Sequence, residues 1–250
     1  MSRVKELQLF NRDDWRERRD WYRAQFPTAA PVRGESSGAY TMHPVLPCVP
    51  ERIKATIPDA RLIYLVRDPI ERLLSQYVEL YAQRIEERSL SDTLAEFDSP
   101  SNLIVMSSRF AYQLDRYREL FDDSQILVLE QRELLSSRAD TLSAAFAFLG
   151  VDPDFTSPDF DRIHNERAGK ERMRPLGMWL DRQGLLQRAR DATRRLPTRL
   201  REPLRKLAWG PVSTTTELDP VLRAELEAYL REDAERVRAY TGKALAHWSV

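Results

Sequence analysis

Residues 62–77 read LIYLVRDPIERLLSQY and contain the clearest local structural pattern of the chain. The first five of these residues, 62–66, are almost wholly apolar, which is typical of a short strand in a parallel sheet covered on both faces. Asp68 is a favourable N-cap residue, Pro69 suits the first position of a helix, and Glu71 completes a pattern like a capping box. The apolar residues that follow recur at helical spacing. The stretch therefore predicts a strand, a tight turn and a helix.

The same alternation continues along the chain. Residues 109–121 have the apolar spacing of a helix, residues 126–129 form a second buried-strand candidate, and residues 138–149 predict a helix closed by Gly150. Alternating strands and helices predict an α/β fold with a parallel sheet and right-handed crossovers. Residues 219–241 predict a long amphipathic helix near the end.

Two charged segments stand apart from this pattern. Residues 12–26 are dense in Arg, Asp and Trp and predict a solvent-exposed helix that Pro27 ends. Residues 182–206 hold nine Arg or Lys and two acidic residues, without interleaved aromatics, so single-stranded nucleic acid is an unsuitable partner. Contact with anionic lipid or an acidic glycan is one interpretation, and an exposed helical hairpin with its charges in water is the favoured one. We predict one domain over residues 1–250, with a basic helical insertion at 175–215.

Composition limits the function classes. The 39 Lys and Arg residues balance 39 Asp and Glu, so the overall charge favours no nucleic-acid partner. Cys48 is the only cysteine, which excludes an intrachain disulfide, and the three histidines have no metal-ligand spacing. No apolar run reaches the roughly 18 residues of a membrane span, and the first ten residues lack a signal-peptide core. These features predict a soluble, cytoplasmic protein without a metal, with peripheral membrane contact left open.

The turn after the predicted strand carries the chemistry. Arg67 lies at the carboxyl end of the strand, where open α/β sheets bind ligands. Ser75 lies in the second turn of the helix, and Arg72 precedes it by three residues on the same face. Arginine can bind a phosphate with two hydrogen bonds, and a hydroxyl can donate another. The alternative is that the two arginines form ion pairs with Asp68 and Glu71.

The spacing RDPxxRxxSxY at residues 67–77 resembles the 3′-phosphate-binding motif of sulfotransferases, especially the carbohydrate-type branch related to heparan sulfate enzymes. Enzymes of this family use 3′-phosphoadenosine 5′-phosphosulfate as the sulfuryl donor. The resemblance implies that Arg67 and Ser75 hold the donor's 3′-phosphate and that no metal takes part. It also implies a parallel sheet like that of P-loop NTPases, flanked by helices, with a helical C-terminal part.

Two earlier segments are similar to the same family in the same order. Residues 5–10, KELQLF, resemble its Lys-Glu-x-x-Phe-Phe segment, which implies that Glu6 is the general base with Lys5 beside it. Residues 34–40, GESSGAY, resemble the segment near its acceptor cleft, for which a plain Gly/Ser turn is the alternative. The implied acceptor contacts are Glu35, Ser36 and Tyr40.

A basic loop at residues 165–174 occupies the position where such enzymes often have a second contact to the phosphate or adenine side of the donor. The implied contacts are Lys170, Arg172 and Arg174. The alternative is a charged loop in water.

The family's N-terminal strand and Gly-rich Lys-Thr/Ser loop have no counterpart in this sequence, and we expect the chain as given to be inactive or nearly so. A misplaced start, a degenerate or repurposed copy and a partner that supplies the strand are the open explanations. The predicted function is sulfuryl transfer to a hydroxyl or amine of an acceptor, with a carbohydrate favoured. The alternative is a non-catalytic sulfotransferase-like nucleotide-binding protein, and an unrelated α/β kinase is weaker.

Overall fold

The computed structural model describes residues 1–161, 171–186, 188, 191–192, 197–212, 214 and 216–250. The chain divides into two compact units. The first unit consists of Met1–Leu73, Glu96–Ser157 and Val221–Val250, and the second of Leu74–Ala95 and Pro158–Pro220. The prediction of one domain over the whole chain stays a prediction.

Helices and strands alternate through the first unit and helices dominate the C-terminal part. In chain order the elements are α1 (Arg19–Ala24), α2 (Val49–Thr56), β1 (Leu62–Val66), α3 (Pro69–Ala82), α4 (Leu90–Leu94), α5 (Leu103–Met106), α6 (Phe110–Arg118), β2 (Ile126–Glu130), α7 (Gln131–Ser136), α8 (Arg138–Leu149), β3 (Glu171–Met173), α9 (Pro175–Arg182), α10 (Thr198–Ala208), β4 (Trp209–Pro211) and α11 (Pro220–Thr241).

The sheet of the first unit confirms the α/β class. β1 and β2 pair in parallel, with Leu62 opposite Ile126, and neither strand has a second neighbour among the described residues. Val66 is buried, but Ile63 and Leu65 are 43% and 45% exposed. Successive side chains of a strand point to opposite faces, so one face of β1 is in contact with water. The expectation that both faces of this strand are covered is therefore wrong.

The core of the first unit lies between the sheet, α6 and α11. The Phe110 ring packs against Tyr64 of β1 at 5.8 Å and against Trp248 at 5.9 Å. Other buried members of this cluster are Leu9, Phe10, Leu114, Tyr117, Ala234 and Val237. The N-terminal residues therefore belong to the same core as the strands.

The segment 12–26 differs from its predicted form. Only Arg19–Ala24 is α-helical, and Trp15, Tyr22 and Phe26 are buried. The rings of Phe10 and Tyr22 pack at 5.4 Å. The prediction of a solvent-exposed helix is wrong because Trp15, Tyr22 and Phe26 pack into the core, although Trp21 is 39% exposed.

The second unit contains an antiparallel pair, β3 and β4, with Arg172 opposite Gly210. Helix α9 lies directly against the end of α10. A Cβ at Gly177 would lie 2.5 Å from the carbonyl oxygen of Ala208, so only glycine permits this contact.

Candidate active site

Asp68 fixes the turn between β1 and α3. One of its carboxylate oxygens accepts the N–H of Glu71 at 2.9 Å, which confirms the predicted N-cap. The other oxygen accepts the N–H of Ser249. Asp68 is 7% exposed. Its carboxylate therefore joins the first turn of α3 to the chain at Ser249, directly beside Arg67.

Arg67 and Arg72 form a cationic region beside this turn. Nη2 of Arg67 donates to the carbonyl oxygen of Arg72 at 3.5 Å, and both side chains are partly buried. Burial, together with the nearby charge of Arg67, lowers the pKa of Arg72 to about 10, against an opposing effect of Tyr64. Both guanidinium groups remain charged at neutral pH. Two cations held close together with little water are suited to a multiply charged anion.

Ser75 and Tyr77 continue the motif along α3. Ser75 is partly buried and follows Arg72 by one turn of the same helix. Tyr77 is fully buried, and its hydroxyl donates to the carbonyl of Arg88 at 3.0 Å and lies 3.0 Å from the Thr214 hydroxyl. The whole motif occupies one strand, turn and helix, while the donor contacts of Arg67 and Ser75 stay predictions.

Glu6 and Lys5 lie at the surface in a segment with unusual backbone geometry. Glu6 has a φ of 53° and Gln8 a φ of 49°. Residues other than glycine adopt this left-handed region at a cost of roughly 1–3 kcal/mol, and such positions cluster at functional sites. The segment therefore needs other groups to hold it in place.

Those groups are Glu35, Ser37 and Tyr40, which we name the Glu35 clamp. Ser37 Oγ accepts the N–H of Gln8 at 3.1 Å, and Tyr40 Oη accepts the N–H groups of the next two residues at 3.1 and 3.4 Å. Both hydroxyls donate to Glu35, each at 2.9 Å. One carboxylate thus orients two hydroxyls that hold three consecutive backbone N–H groups, starting two residues after Glu6.

The electrostatics of the Glu35 clamp keep its phenol protonated. Burial and the negative charge of Glu35 raise the pKa of Tyr40, and the same two causes raise the pKa of neighbouring Tyr22. The Tyr40 hydroxyl therefore remains a donor to Glu35 at any physiological pH. These contacts give Glu35 and Tyr40 a positioning role, and their contact with an acceptor stays a prediction.

Ser37 holds the backbone after Glu6, although no sequence pattern pointed to it. Ser36 was expected at the acceptor cleft, yet Ser36 is exposed and Ser37 supplies the hydroxyl that holds Gln8. Neighbouring serines in a Gly/Ser segment carry no local signal that distinguishes them.

The basic residues expected on the donor side lie in the second unit. The Arg172 guanidinium lies 3.7 Å from the centroid of the Tyr81 ring and 3.5 Å from a carboxylate oxygen of Glu87. Nη1 of Arg174 donates to the carbonyl oxygen of Lys206 at 3.0 Å. Lys170 lies outside the described residues. The contacts of Arg172 and Arg174 are internal to the unit, so their binding of a donor stays a prediction.

A cavity of about 840 Å³ in the first unit lies along β2, between α6, α8 and α11. No residue of the 67–77 motif lines it. Its three lining cations are paired within the unit: Arg118 with Asp123 at 2.8 Å, Arg236 with Asp115, and Lys243 with Glu133. Since carboxylates neutralise these cations, the cavity offers little positive charge to bind the anionic groups of a sulfuryl donor.

Comparison with known proteins decides the family. A sequence profile described as "Sulfotransferase family" matches residues 6–156, more than half of the 250 residues. The chain belongs to the sulfotransferase family. The matched range begins at Glu6 and contains the Glu35 clamp and the whole 67–77 motif.

Curated sulfotransferases are similar at low identity. The bifunctional heparan sulfate N-deacetylase/N-sulfotransferase 4 of Mus musculus is 25% identical over 166 residues, which cover 60% of this chain and 18% of that protein. The corresponding enzyme 3 of Homo sapiens is 25% identical, with the same coverages. The chain thus spans less than a fifth of the length of these relatives.

A solved sulfotransferase has a similar fold. The crystal structure of a sulfotransferase from Alicyclobacillus acidocaldarius superimposes with a TM-score of 0.63 and 21% identity, covering 100% of this chain and 87% of that one. This similarity supports the sulfotransferase fold with its parallel sheet and flanking helices.

Within the part of this chain that the structure describes, no helix combines the length and apolar composition required to cross a membrane. The same residues contain no group of three or more His, Cys, Asp or Glu side chains arranged to hold a metal ion.

Proposed function

We propose that this chain belongs to a sulfotransferase that moves a sulfuryl group from 3′-phosphoadenosine 5′-phosphosulfate to a hydroxyl or amine of a carbohydrate acceptor, and that its residues supply the 3′-phosphate contacts and the general base. The Gly-rich loop that has no counterpart in this sequence is still required for transfer. The observation that carries the proposal is the partly buried pair of Arg67 and Arg72 at the carboxyl end of β1, inside the range matched by the family profile. The names of the heparan sulfate relatives support a glycan acceptor. The cytoplasmic location inferred from the sequence stays a prediction.

Arg67 and Ser75 bind the 3′-phosphate of the donor in this proposal. Charge-assisted bonds from arginine to phosphate are short and strong, and a hydroxyl on the first turns of a helix adds a neutral donor. Arg72 contributes positive potential, and a bound phosphate would raise its pKa from about 10 toward the ordinary value. Lys170, Arg172 and Arg174 are proposed as further contacts to the nucleotide.

Glu6 acts as the general base, with Lys5 beside it. The acceptor oxygen or nitrogen attacks the sulfur while the bond from sulfur to the bridging phosphate oxygen breaks, and Glu6 takes the acceptor's proton. The products are the sulfated acceptor and adenosine 3′,5′-bisphosphate. The Glu35 clamp fixes the backbone after Glu6 and so contributes orientation to the reaction. Glu35, Ser36 and Tyr40 border the proposed acceptor position.

Calorimetric titration with adenosine 3′,5′-bisphosphate tests the donor site, with adenosine 5′-monophosphate as the ligand that lacks the 3′-phosphate. We expect the parent chain to prefer the bisphosphate. Arg67→Ala should abolish this preference, lowering affinity for the bisphosphate by roughly 10- to 100-fold, because hydrogen bonds to charged groups contribute about 1.5–3 kcal/mol. Ser75→Ala should lower the affinity for the bisphosphate by a smaller factor.

Arg231→Ala, a change at an exposed arginine of α11, is the matched control and should keep the preference. A folded parent that binds both nucleotides equally would overturn the donor site. Binding of the bisphosphate without sulfuryl transfer to any desulfated heparin oligosaccharide, in a protein that also contains the Gly-rich loop, would instead support the non-catalytic nucleotide-binding alternative.

A further inference from the structure

The second unit exposes apolar side chains on two neighbouring helices, α9 and α10. Among its described residues, the large hydrophobic side chains exposed to solvent are Ile85, Leu176, Trp179, Leu200 and Leu207. The last four belong to α9 and α10 and are 44%, 54%, 58% and 54% exposed. Scattered single apolar residues are normal at a surface, but a concentration of four on two adjoining helices is not.

On α10 the exposed apolar residues form one stripe. At 100° per residue, Leu200, Pro203 and Leu207 fall within an arc of about 60°. All three are exposed, whereas Ala208, about 110° around the helix from the centre of the stripe, is buried. Arg199 and Lys206 are exposed and lie along one edge of the stripe. The helix therefore presents apolar side chains to water with cations beside them.

Helix α9 continues this pattern. Leu176 and Trp179 are three residues apart on one exposed face, and Arg182 lies at the edge of that face. Asp181 lies on a different side of the helix. Leu176 adjoins Gly177 and Leu207 adjoins Ala208, the two residues at which the helices touch. The apolar residues of α9 and α10 therefore flank the same contact, and we name them, with Arg182, Arg199 and Lys206, the α9–α10 surface.

The positive charge of the segment that runs from α9 into α10 indicates which kind of partner binds the α9–α10 surface. Residues 182–206 carry nine basic and two acidic residues, although the whole chain is neutral. Helices that lie in a membrane interface combine a Trp- and Leu-bearing apolar face with flanking Lys and Arg. An acidic partner without apolar groups would leave the four apolar side chains exposed to water. A purely apolar partner would leave the three cations without anionic partners. An anionic lipid surface satisfies both features.

We propose that the α9–α10 surface binds the headgroup region of an anionic membrane, with Trp179 and the leucines inserted at the interface and the basic side chains on the lipid headgroups. This binding is peripheral and does not depend on sulfuryl transfer. It assigns a function to a basic segment that the donor and acceptor sites leave unused.

Flotation of the full chain with vesicles tests the proposal. We expect binding to phosphatidylcholine vesicles that contain phosphatidylglycerol, weak binding to phosphatidylcholine alone, and release as the salt concentration rises. Each Lys or Arg near an anionic surface contributes a factor of about five in affinity, so Arg199→Gln/Lys206→Gln should weaken binding roughly 30-fold. Leu200→Gln/Leu207→Gln should weaken it by about tenfold or more.

Matched control variants show whether a loss of vesicle binding comes from the α9–α10 surface or from any loss of exposed charge or apolar area. Arg3→Gln/Arg231→Gln removes two exposed cations, and Val221→Gln one exposed apolar side chain, all outside the α9–α10 surface. These variants should bind like the parent, and circular dichroism should show every variant folded. Absence of binding to anionic vesicles, equal binding to neutral vesicles, or equal losses in the control variants would overturn the proposal.

Two other partners of the α9–α10 surface, a glycan and a second copy of the chain, would give different experimental results. Binding to heparin that is lost in Arg199→Gln/Lys206→Gln, without vesicle binding, would identify a glycan surface and reject the membrane. Self-association that Leu200→Gln/Leu207→Gln abolishes, again without vesicle binding, would identify a second copy of the chain as the occupant and equally reject it.

Discussion

Single residues decide how the segment after Glu6 is held. Tyr40→Phe removes the acceptor of two backbone N–H groups and the partner of Glu35 while keeping the ring. Groups left without a partner cost about 1–3 kcal/mol, so we expect the free energy of unfolding in urea to fall by roughly that amount. Affinity for adenosine 3′,5′-bisphosphate should stay unchanged, because the Glu35 clamp does not belong to the proposed donor site.

The control is Tyr112→Phe, which removes a hydroxyl of the same unit outside the clamp. A loss of stability in this control as large as that of Tyr40→Phe would show that the clamp has no special role.

For single residues, the sequence allowed prediction of contacts between near neighbours in the chain, but not of contacts between positions far apart in the sequence. The capping role of Asp68 follows from its position before Pro69, and the structure confirms it. The bond from Ser249 to Asp68 and the stacking of Arg172 on Tyr81 join distant positions. No local pattern encodes such contacts, because they depend on how the elements pack.

Among elements, the junction of α11 and α6 depends on one carboxylate. Asp233 is 4% exposed, and its two oxygens accept the N–H groups of Ala111 and Tyr112, at 2.9 and 2.8 Å, in the first turn of α6. Burial raises the pKa of Asp233, against the opposing effect of these two bonds. Asp233 thus caps one helix from another.

Asp233→Asn should lower the free energy of unfolding by about 1–3 kcal/mol, since an amide N–H₂ would face a backbone N–H that needs an acceptor. The measurement is urea unfolding followed by circular dichroism. Glu232→Gln removes one negative charge from an exposed position of the same turn and should change stability little. Equal losses in the two variants would mean that charge, rather than capping, accounts for the effect.

Element boundaries were predictable where termination signals are strong. Helix α8 ends at Leu149, and Gly150 follows with a φ of 73°, as its position predicted. Helix α11 spans Pro220–Thr241, close to the predicted 219–241. The prediction for segment 12–26 was wrong because helical spacing does not show which aromatic side chains pack into a core formed by distant residues. The exposed face of β1 could not be predicted from the apolar run itself, because such a run does not show how many layers cover a strand.

Across the first unit as a whole, buried tyrosines limit stability in alkali. Burial raises the pKa of Tyr22, Tyr40, Tyr64 and Tyr117 above the ordinary value near 10. Their phenols stay neutral in the folded state when those of the unfolded chain ionise. Their contribution to stability is therefore complete below about pH 10 and is lost as the pH rises from there toward the folded-state pKa values.

We expect the melting temperature to fall steeply above about pH 10, together with a cooperative rise in tyrosinate absorbance. Gradual ionisation of all nine tyrosines near pH 10, with the fold retained, would contradict this expectation. The division into two units, by contrast, was not predictable, since the second unit combines segments from separate parts of the sequence.

The bond between Asp68 and Ser249 also has a consequence for the order of events during synthesis. It joins positions 181 residues apart, so the turn that carries Arg67 leaves the ribosome long before its second anchor does. Until residue 249 is available, the Asp68 carboxylate has only the local one of its two bonds, to the N–H of Glu71. The turn that carries Arg67 therefore acquires its second anchor only after most of the chain has been made, although its own residues are made early.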